Sequence, residues 1–187
     1  MAKLYFKYGA MGSSKTANAL MTRYNYLEKN KHIKMLKPKS ECRDGMMIIK
    51  SRIGLEAECE YVEDFLNNKE NIKEYDAIIV DEAQFLSEAQ VDEFAKIVDM
   101  YDIPVLCYGL RTDFQSHFFP GSKRLMELAD NIEEIKAICW CGRKAIMNTR
   151  INENGTIVQT GEQVMLGGND MYISLCRKHY VEGRTGK

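Results

Sequence analysis

Four residues in two short stretches have the types and spacing for phosphate chemistry. Lys15 and Thr16 stand behind a glycine-containing turn, and Asp81 and Glu82 stand behind an apolar run. In Gly9-Ala10-Met11-Gly12-Ser13-Ser14-Lys15-Thr16 the small residues let backbone N–H groups curl around phosphate oxygens. The lysine ammonium can reach the outer phosphates, the threonine hydroxyl can ligate Mg²⁺, and a helix beginning there adds the positive end of its dipole. The pattern G-x-x-x-x-G-K-[ST] has glycine where this chain has Ser14, so position 14 demands either φ < 0 or a strain of about 1–2 kcal/mol. Asp81-Glu82-Ala83-Gln84 has the form of the acidic strand end that accompanies such a loop. Asp81 can hold Mg²⁺ through water, and Glu82 can orient or deprotonate an attacking hydroxyl. Taken singly, each stretch also has a plainer reading, a Gly/Ser turn before a helix and two solvated acids.

A second constellation is Cys139-x-Cys141 with Cys176-x-x-His179. Three thiolates and one imidazole in two clusters suit a closed tetrahedral structural zinc site, with no coordination position left open for catalysis. The alternative is a group of buried thiols beside a surface histidine. Cys42, Cys59 and Cys107 sit alone and read as small buried hydrophobes. Phe85, Leu110, Phe114, Phe119 and Tyr172 flank the phosphate motifs and are suited to holding a flat base, although each by itself also suits a core. Arg43, Arg52, Arg111 and Arg150 are loop cations able to clamp phosphate or to be solvated.

To bring these groups together, the apolar run Lys3–Tyr8 must be a strand ending at Gly9, and the segment from Lys15 a helix with Ala17, Leu20, Met21 and Tyr24 on its inward face. Ile33–Leu36 reads as a strand stopped by Pro38, Glu58–Val62 as another, and Glu63–Asn68 as a short helix. The stretch from Lys39 to Gly54 has loop chemistry around the apolar Met46–Ile49. Ala77–Val80 is continuously apolar, as a strand buried on both faces should be. Ser87 can cap a helix facing inward through Val91, Phe94, Ala95 and Val98. Pro104–Gly109 predicts the next strand, Ser122–Ala129 a helix and Ile132–Ile138 one more strand. Strands alternating with helices argue for a parallel α/β sheet, in which ligands lie beyond the carboxyl ends of the strands, so Gly9 and Asp81 can face one crevice. Past Cys139 the texture changes to hairpins and irregular loop, with a turn at Asn152–Gly155. The expected division is residues 1–138 as a nucleotide-binding domain and 139–187 as a zinc-binding one.

The 187 residues carry 26 basic against 27 acidic side chains, which excludes a broad nucleic-acid or anionic-membrane surface. No stretch approaches the roughly 18–20 apolar residues of a membrane span. With no apolar leader visible, a cytoplasmic protein is expected, in which metal ligation suits clustered cysteines better than disulfides do.

Together these motifs resemble the zinc-containing thymidine kinase family of bacteria and of the animal cytosol. The resemblance runs through Gly9–Thr16, Lys37-Pro38 with Arg43, Ser51-Arg52-Ile53-Gly54, Asp81–Phe85, Gly109–Gln115, Cys139–Gly142, Gly161-Glu162-Gln163, Gly167-Gly168-Asn169, Tyr172 and Cys176–Tyr180. It implies a P-loop NTPase-like parallel sheet flanked by helices, with a small C-terminal zinc-containing lasso domain. The implied reaction moves the γ-phosphoryl of ATP to the 5′-hydroxyl of thymidine or deoxyuridine. Glu82 matches the general base, Gly9 to Thr16 and Asp81 to Gln84 the ATP-binding positions, and Thr16 and Asp81 the Mg²⁺ site. Met11, Phe85, Leu110, Phe114, Phe119, Gln163, Met165, Leu166, Gly167 and Tyr172 match thymidine-binding positions. Arg150 corresponds to a lasso arginine near the phosphates, and Cys139, Cys141, Cys176 and His179 to the zinc ligands. The family also implies a homotetramer regulated by dTTP. Two other readings of the residues stay open: an ATP-dependent nucleic-acid-binding protein, against which the neutral charge and the short chain after Gln84 argue, and a nucleotide binder without turnover.

Overall fold

The computed structural model describes residues 1–41, 47–69, 71–163 and 171–186. The expected site residues Met165, Leu166 and Gly167, together with Arg43 and Cys42, lie outside the described residues. In chain order the elements are β1 (Leu4–Tyr8), α1 (Lys15–Leu27), β2 (Ile33–Lys37), β3 (Ile48–Lys50), β4 (Glu56–Glu58), β5 (Glu60–Tyr61) and α2 (Val62–Asn67). There follow β6 (Ala77–Val80), α3 (Glu88–Tyr101), β7 (Val105–Gly109), α4 (Pro120–Leu128) and β8 (Asn131–Glu134). The chain closes with β9 (Ala137–Ile138), β10 (Lys144–Ala145), β11 (Met147–Ile151), β12 (Ile157–Val158), β13 (Tyr172–Leu175) and α5 (Arg177–Val181).

Six strands form a sheet in the order β5-β2-β6-β7-β1-β8, with every pairing parallel. All carboxyl ends therefore lie on one edge. Side chains of a strand alternate between faces, and both faces of this sheet are covered, which is why Ala77-Ile78-Ile79-Val80 is apolar at every position. Ile78 and Val80 join the cluster containing Val91, Phe94 and Val98 of α3, whereas Ala77 and Ile79 join Ala19 and Leu20 of α1 on the other side. Helix α3 starts at a reciprocal cap: Ser87 Oγ accepts from the Gln90 amide, and Gln90 Oε1 accepts from the Ser87 amide. Such a cap contributes about 1 kcal/mol.

Three expectations need correction. Met21 and Tyr24 do not face inward; they are 54% and 60% exposed, while Ala17, Ala19 and Leu20 are buried. The helix is rolled so that two alanines allow a close approach to the sheet, and the Thr22 hydroxyl meets the Tyr108 hydroxyl at 3.0 Å. An apolar count cannot anticipate that polar pairing. The segment 132–138 is not one strand: β8 pairs with β1, and Ala137–Ile138 belongs to a separate hairpin with β10. Ile48–Lys50, expected as loop, pairs with Glu56–Glu58 in the antiparallel hairpin β3–β4, and of the strand expected at Glu58–Val62 Glu60–Tyr61 alone joins the main sheet before α2 begins at Val62. Ile49 and Ala57 of that hairpin pack on the α1 face, and the buried Lys37 donates to the Ile48 carbonyl at 2.8 Å.

Past residue 136, the β9–β10 hairpin, the antiparallel sheet β12-β11-β13 and α5 surround a third apolar cluster of Ala10, Ala137, Cys139, Ala145, Leu175 and Cys176.

Candidate active site

The loop after β1 begins where no side chain fits. A Cβ on Gly9 would meet Ser13 Oγ at 2.3 Å and the Ile135 carbonyl at 2.4 Å. Gly9 donates to the Gly109 carbonyl, and Ser13 closes a turn onto the Ala10 carbonyl at 3.1 Å. Ser14 adopts φ 63 and ψ 29, so the loop keeps the left-handed geometry that glycine would supply and serine bears the strain. From the first turn of α1, Lys15 Nζ reaches back to the Ala10 carbonyl at 2.9 Å. The loop is also anchored from the C-terminal part of the chain. Asn148 Oδ1 accepts from the Met11 amide at 2.8 Å, Asn148 Nδ2 donates to the Thr112 carbonyl, and the Ser174 hydroxyl donates to the Met11 carbonyl.

Strand β7 separates β1 from β6, so the loop and the acidic strand end are two strand spacings apart, about 9–10 Å. The turn at 81–85 narrows that gap. Glu82 has φ 51, a left-handed conformation that turns its side chain toward the cleft, and backbone strain of this kind costs about 1–3 kcal/mol. Gln84 braces it: Nε2 donates to Glu82 Oε2, while Oε1 accepts from the Leu110 amide at 2.9 Å. Gly109 makes room for this brace, since a Cβ there would stand 2.8 Å from Gln84 Oε1. Asp81 is buried at the base of the cleft. Burial above all, and then the Glu82 carboxylate, raise it to about 7, although the Thr16 hydroxyl and the Lys15 charge favour its ionised form.

These groups open onto a cleft of about 450 Å³, within the range of small-ligand sites. Met11, Gly12, Ser14, Lys15, Thr16, Glu82 and Gln84 line it. So do Phe85, Leu110, Phe114, Phe119, Gln163 and Tyr172, with Phe85 and Phe119 edge to face at 5.8 Å. Of the remaining expected nucleotide-site residues, Gly9, Ala10, Ser13, Asp81 and Ala83 are buried beneath the cleft surface. Arg150, expected beside the phosphates, is 3% exposed and lies behind the aromatic wall.

Sequence reasoning passed over several lining residues. Asp113 accepts from the Gln115 and His117 amides at 2.9 Å through Oδ1, and from Gln163 Nε2 at 2.8 Å through Oδ2. A carboxylate four residues past a strand's carboxyl end was the available signal. Asn148, in the middle of β11, carried none. Glu41 and Lys50 also border the cleft, as do Ser51 and Arg52, which the sequence had marked, brought there by β2 and the β3–β4 hairpin.

The candidate metal ligands converge as well. One ligand atom from each of Cys139, Cys141, Cys176 and His179 lies within 4.8 Å of the others. Cys139 Sγ is 3.4 Å from His179 Nδ1, and Cys141 Sγ is 4.0 Å from Cys176 Sγ. Ligands about 2.0–2.3 Å from a tetrahedral zinc stand roughly 3.5–3.8 Å apart, so the group fits that ion. All four side chains are free to ligate, the three cysteines being unbridged. Burial works against a charged Cys139, but the Cys141 and Cys176 backbone amides and the His179 ring bring it down to about 6, toward the thiolate a metal requires. Trp140 stacks on the His179 ring at 4.3 Å and holds its plane.

A parallel sheet with a phosphate loop after its first strand, an acidic strand end beside it and an aromatic wall in the same cleft defines a nucleotide-binding phosphotransferase site. Comparison with known proteins narrows the class. The sequence model described as thymidine kinase matches residues 2–180. A thymidine kinase of Legionella pneumophila (strain Paris) is 46% identical over 198 residues, covering 100% of this chain and 93% of the relative. Thymidine kinases of Zymomonas mobilis and of Enterobacteria phage T4 are each 44% identical over 188 residues, covering 97% of both chains. The chain belongs to the thymidine kinase family.

Proposed function

We propose that this protein transfers the γ-phosphoryl group of ATP to the 5′-hydroxyl of thymidine or deoxyuridine, giving the nucleoside monophosphate and ADP. The observation that carries the reading is that Lys15, Thr16 and Glu82 line the same cleft as Phe85, Phe114, Phe119 and Tyr172. Backbone amides of the loop other than those of Gly9, Met11 and Ser13, which are spent within the protein, bind the donor's phosphates, and the Lys15 ammonium neutralises charge on the transferred group. Thr16 and Asp81 are the residues that would hold Mg²⁺, which would supply neutralisation of the phosphate charge. Glu82 accepts the proton of the attacking 5′-hydroxyl, and its fixed left-handed turn with the Gln84 brace supplies the positioning on which phosphoryl transfer depends. The aromatic wall seats the base, with Gln163 and Asp113 as its polar groups.

The Cys139, Cys141, Cys176 and His179 cluster holds a structural zinc that fixes the β9–β10 hairpin to the start of α5. Residues 1–138 then act as the nucleotide-binding part and 139–187 as the zinc-anchored part. A homotetramer inhibited by dTTP and a cytoplasmic location are family-based parts of the proposal, read by light scattering and by inhibition kinetics. No helix among the described residues is long and apolar enough to cross a membrane.

The direct test is a nucleoside panel with ATP and Mg²⁺, read by product mass. Thymidine monophosphate and ADP in equal amounts are expected; ATP hydrolysis with no phosphorylated nucleoside refutes the proposal.

A further inference from the structure

Arg150 is a large buried cation in β11, and it contacts Phe114, Tyr172 and the Glu162 carbonyl without lining the cleft. It stands directly opposite Tyr172 in the β11–β13 ladder, so the two side chains share a face. Arg150 Nε donates to the Tyr172 hydroxyl oxygen at 2.8 Å, and Nη2 donates both to that oxygen and, at 3.0 Å, to the Glu162 carbonyl. The guanidinium lies 3.8 Å from the centroid of Phe114, a stacking distance. A buried charge is tolerated only when fully partnered, and here hydrogen bonds and a π face do that work together.

The chemistry of the guanidinium sets the direction of these bonds. Arginine offers donors and no acceptor, so the Tyr172 oxygen accepts in both, and its own proton must turn elsewhere. Among the described residues that proton meets no acceptor, and Tyr172 lines the cleft. The phenol is thereby presented to a ligand as a donor. By holding the Glu162 carbonyl, Arg150 also places Gln163, whose amide reaches Asp113 across the same wall.

We propose that Arg150 is a positioning residue of the acceptor pocket, seating Phe114, Tyr172 and Gln163 from behind so that it governs affinity for the nucleoside and not for the phosphate donor. The inference rests on the thymidine kinase reading above.

The experiment compares wild type, Arg150→Met, Arg150→Lys, Tyr172→Phe and the Arg150→Lys/Tyr172→Phe double variant in steady-state kinetics with thymidine and ATP. Misplacement of the wall should raise KM for thymidine about 10- to 100-fold in Arg150→Met, with KM for ATP within about twofold of wild type. Arg150→Lys keeps the cation but has one donor nitrogen where arginine makes three hydrogen bonds from two, so it should be impaired in the same sense and to a smaller extent. If Arg150 acts through Tyr172, the double variant should lose less than the product of the single losses. A raised KM for ATP with thymidine unaffected overturns the proposal and restores a phosphate role. Equal falls in both affinities and in kcat, tracking a lowered melting temperature, overturn it in favour of a purely structural role. Should neither Arg150 variant fold, Tyr172→Phe decides: a KM for thymidine raised at least about fivefold supports the proposal, and an unchanged one overturns it. A wild-type protein that phosphorylates no nucleoside defeats the family-based reading itself, a result separate from any pattern among the variants.

Discussion

Replacing Ser14 with glycine should stabilise the ligand-free protein. Ser14 sits at φ 63 and ψ 29 ahead of α1, and its side chain makes no capping hydrogen bond. The left-handed conformation costs an L-residue about 1–2 kcal/mol, which glycine does not incur. Glycine in turn gives up about 0.5–1 kcal/mol through the freedom it gains in the unfolded chain. The difference leaves a gain of about 0.5–1 kcal/mol, which for a chain of this length is a rise of about 1–4 °C in melting temperature. Because the loop already holds its geometry with serine, KM for ATP should change by less than about threefold. Ser14→Ala is the control: it removes the hydroxyl but keeps the Cβ at positive φ, so no stabilisation is expected. Urea titrations of the three proteins, with unchanged slopes, give the comparison. A stabilised Ser14→Ala beside a neutral or weakened Ser14→Gly would refute the strain argument and move the cause to the hydroxyl.

Glu82→Gln should preserve the fold and lower kcat by about 10²–10⁴ with little change in either KM, measured by coupled ADP release; an unaffected kcat removes Glu82 as the base. Asp81→Asn should abolish turnover yet stabilise the ligand-free protein at pH 8 more than at pH 5. The sign follows from a carboxyl raised in the fold from 3.8 to about 7: the folded state holds a proton that the unfolded chain has released, so stability from this group is full below about pH 4 and is lost as pH rises toward 7. Denaturation of both proteins at the two pH values reads the difference. Metal analysis should find about one zinc per chain, and a strong chelator should lower the melting temperature, an effect that Cys176→Ala should reproduce.

The buried strands of the main sheet were legible because an apolar run covered on both faces leaves no polar position, as at Ala77–Val80, and helix α3 was legible because Ser87 carries its own cap. The candidate phosphate loop, acid pair and metal-ligating group, which the structure brings together, could be picked out for a similar reason: such chemistry needs particular residue types at short spacing, and short spacing survives in one dimension. The face of α1 was misread because the helix packs through Ala17, Ala19 and Leu20, with the Thr22 hydroxyl meeting that of Tyr108, 86 positions away. The run at 132–138 was misread because the chain leaves the main sheet at Ile135, a departure that no change in hydrophobicity marks.

Residue type and local spacing thus singled out the groups that the proposed phosphate and metal chemistry needs, and determined that a parallel sheet presents them. The tertiary structure alone decided what stands behind them: Gly109 vacating space for the Gln84 brace, Asn148 tying the loop to the C-terminal part, and Arg150 serving the aromatic wall from beneath. Those roles depend on strand order and on side chains meeting across β7 and β11, and contacts between segments distant in the chain leave no trace in a residue's neighbours along the sequence.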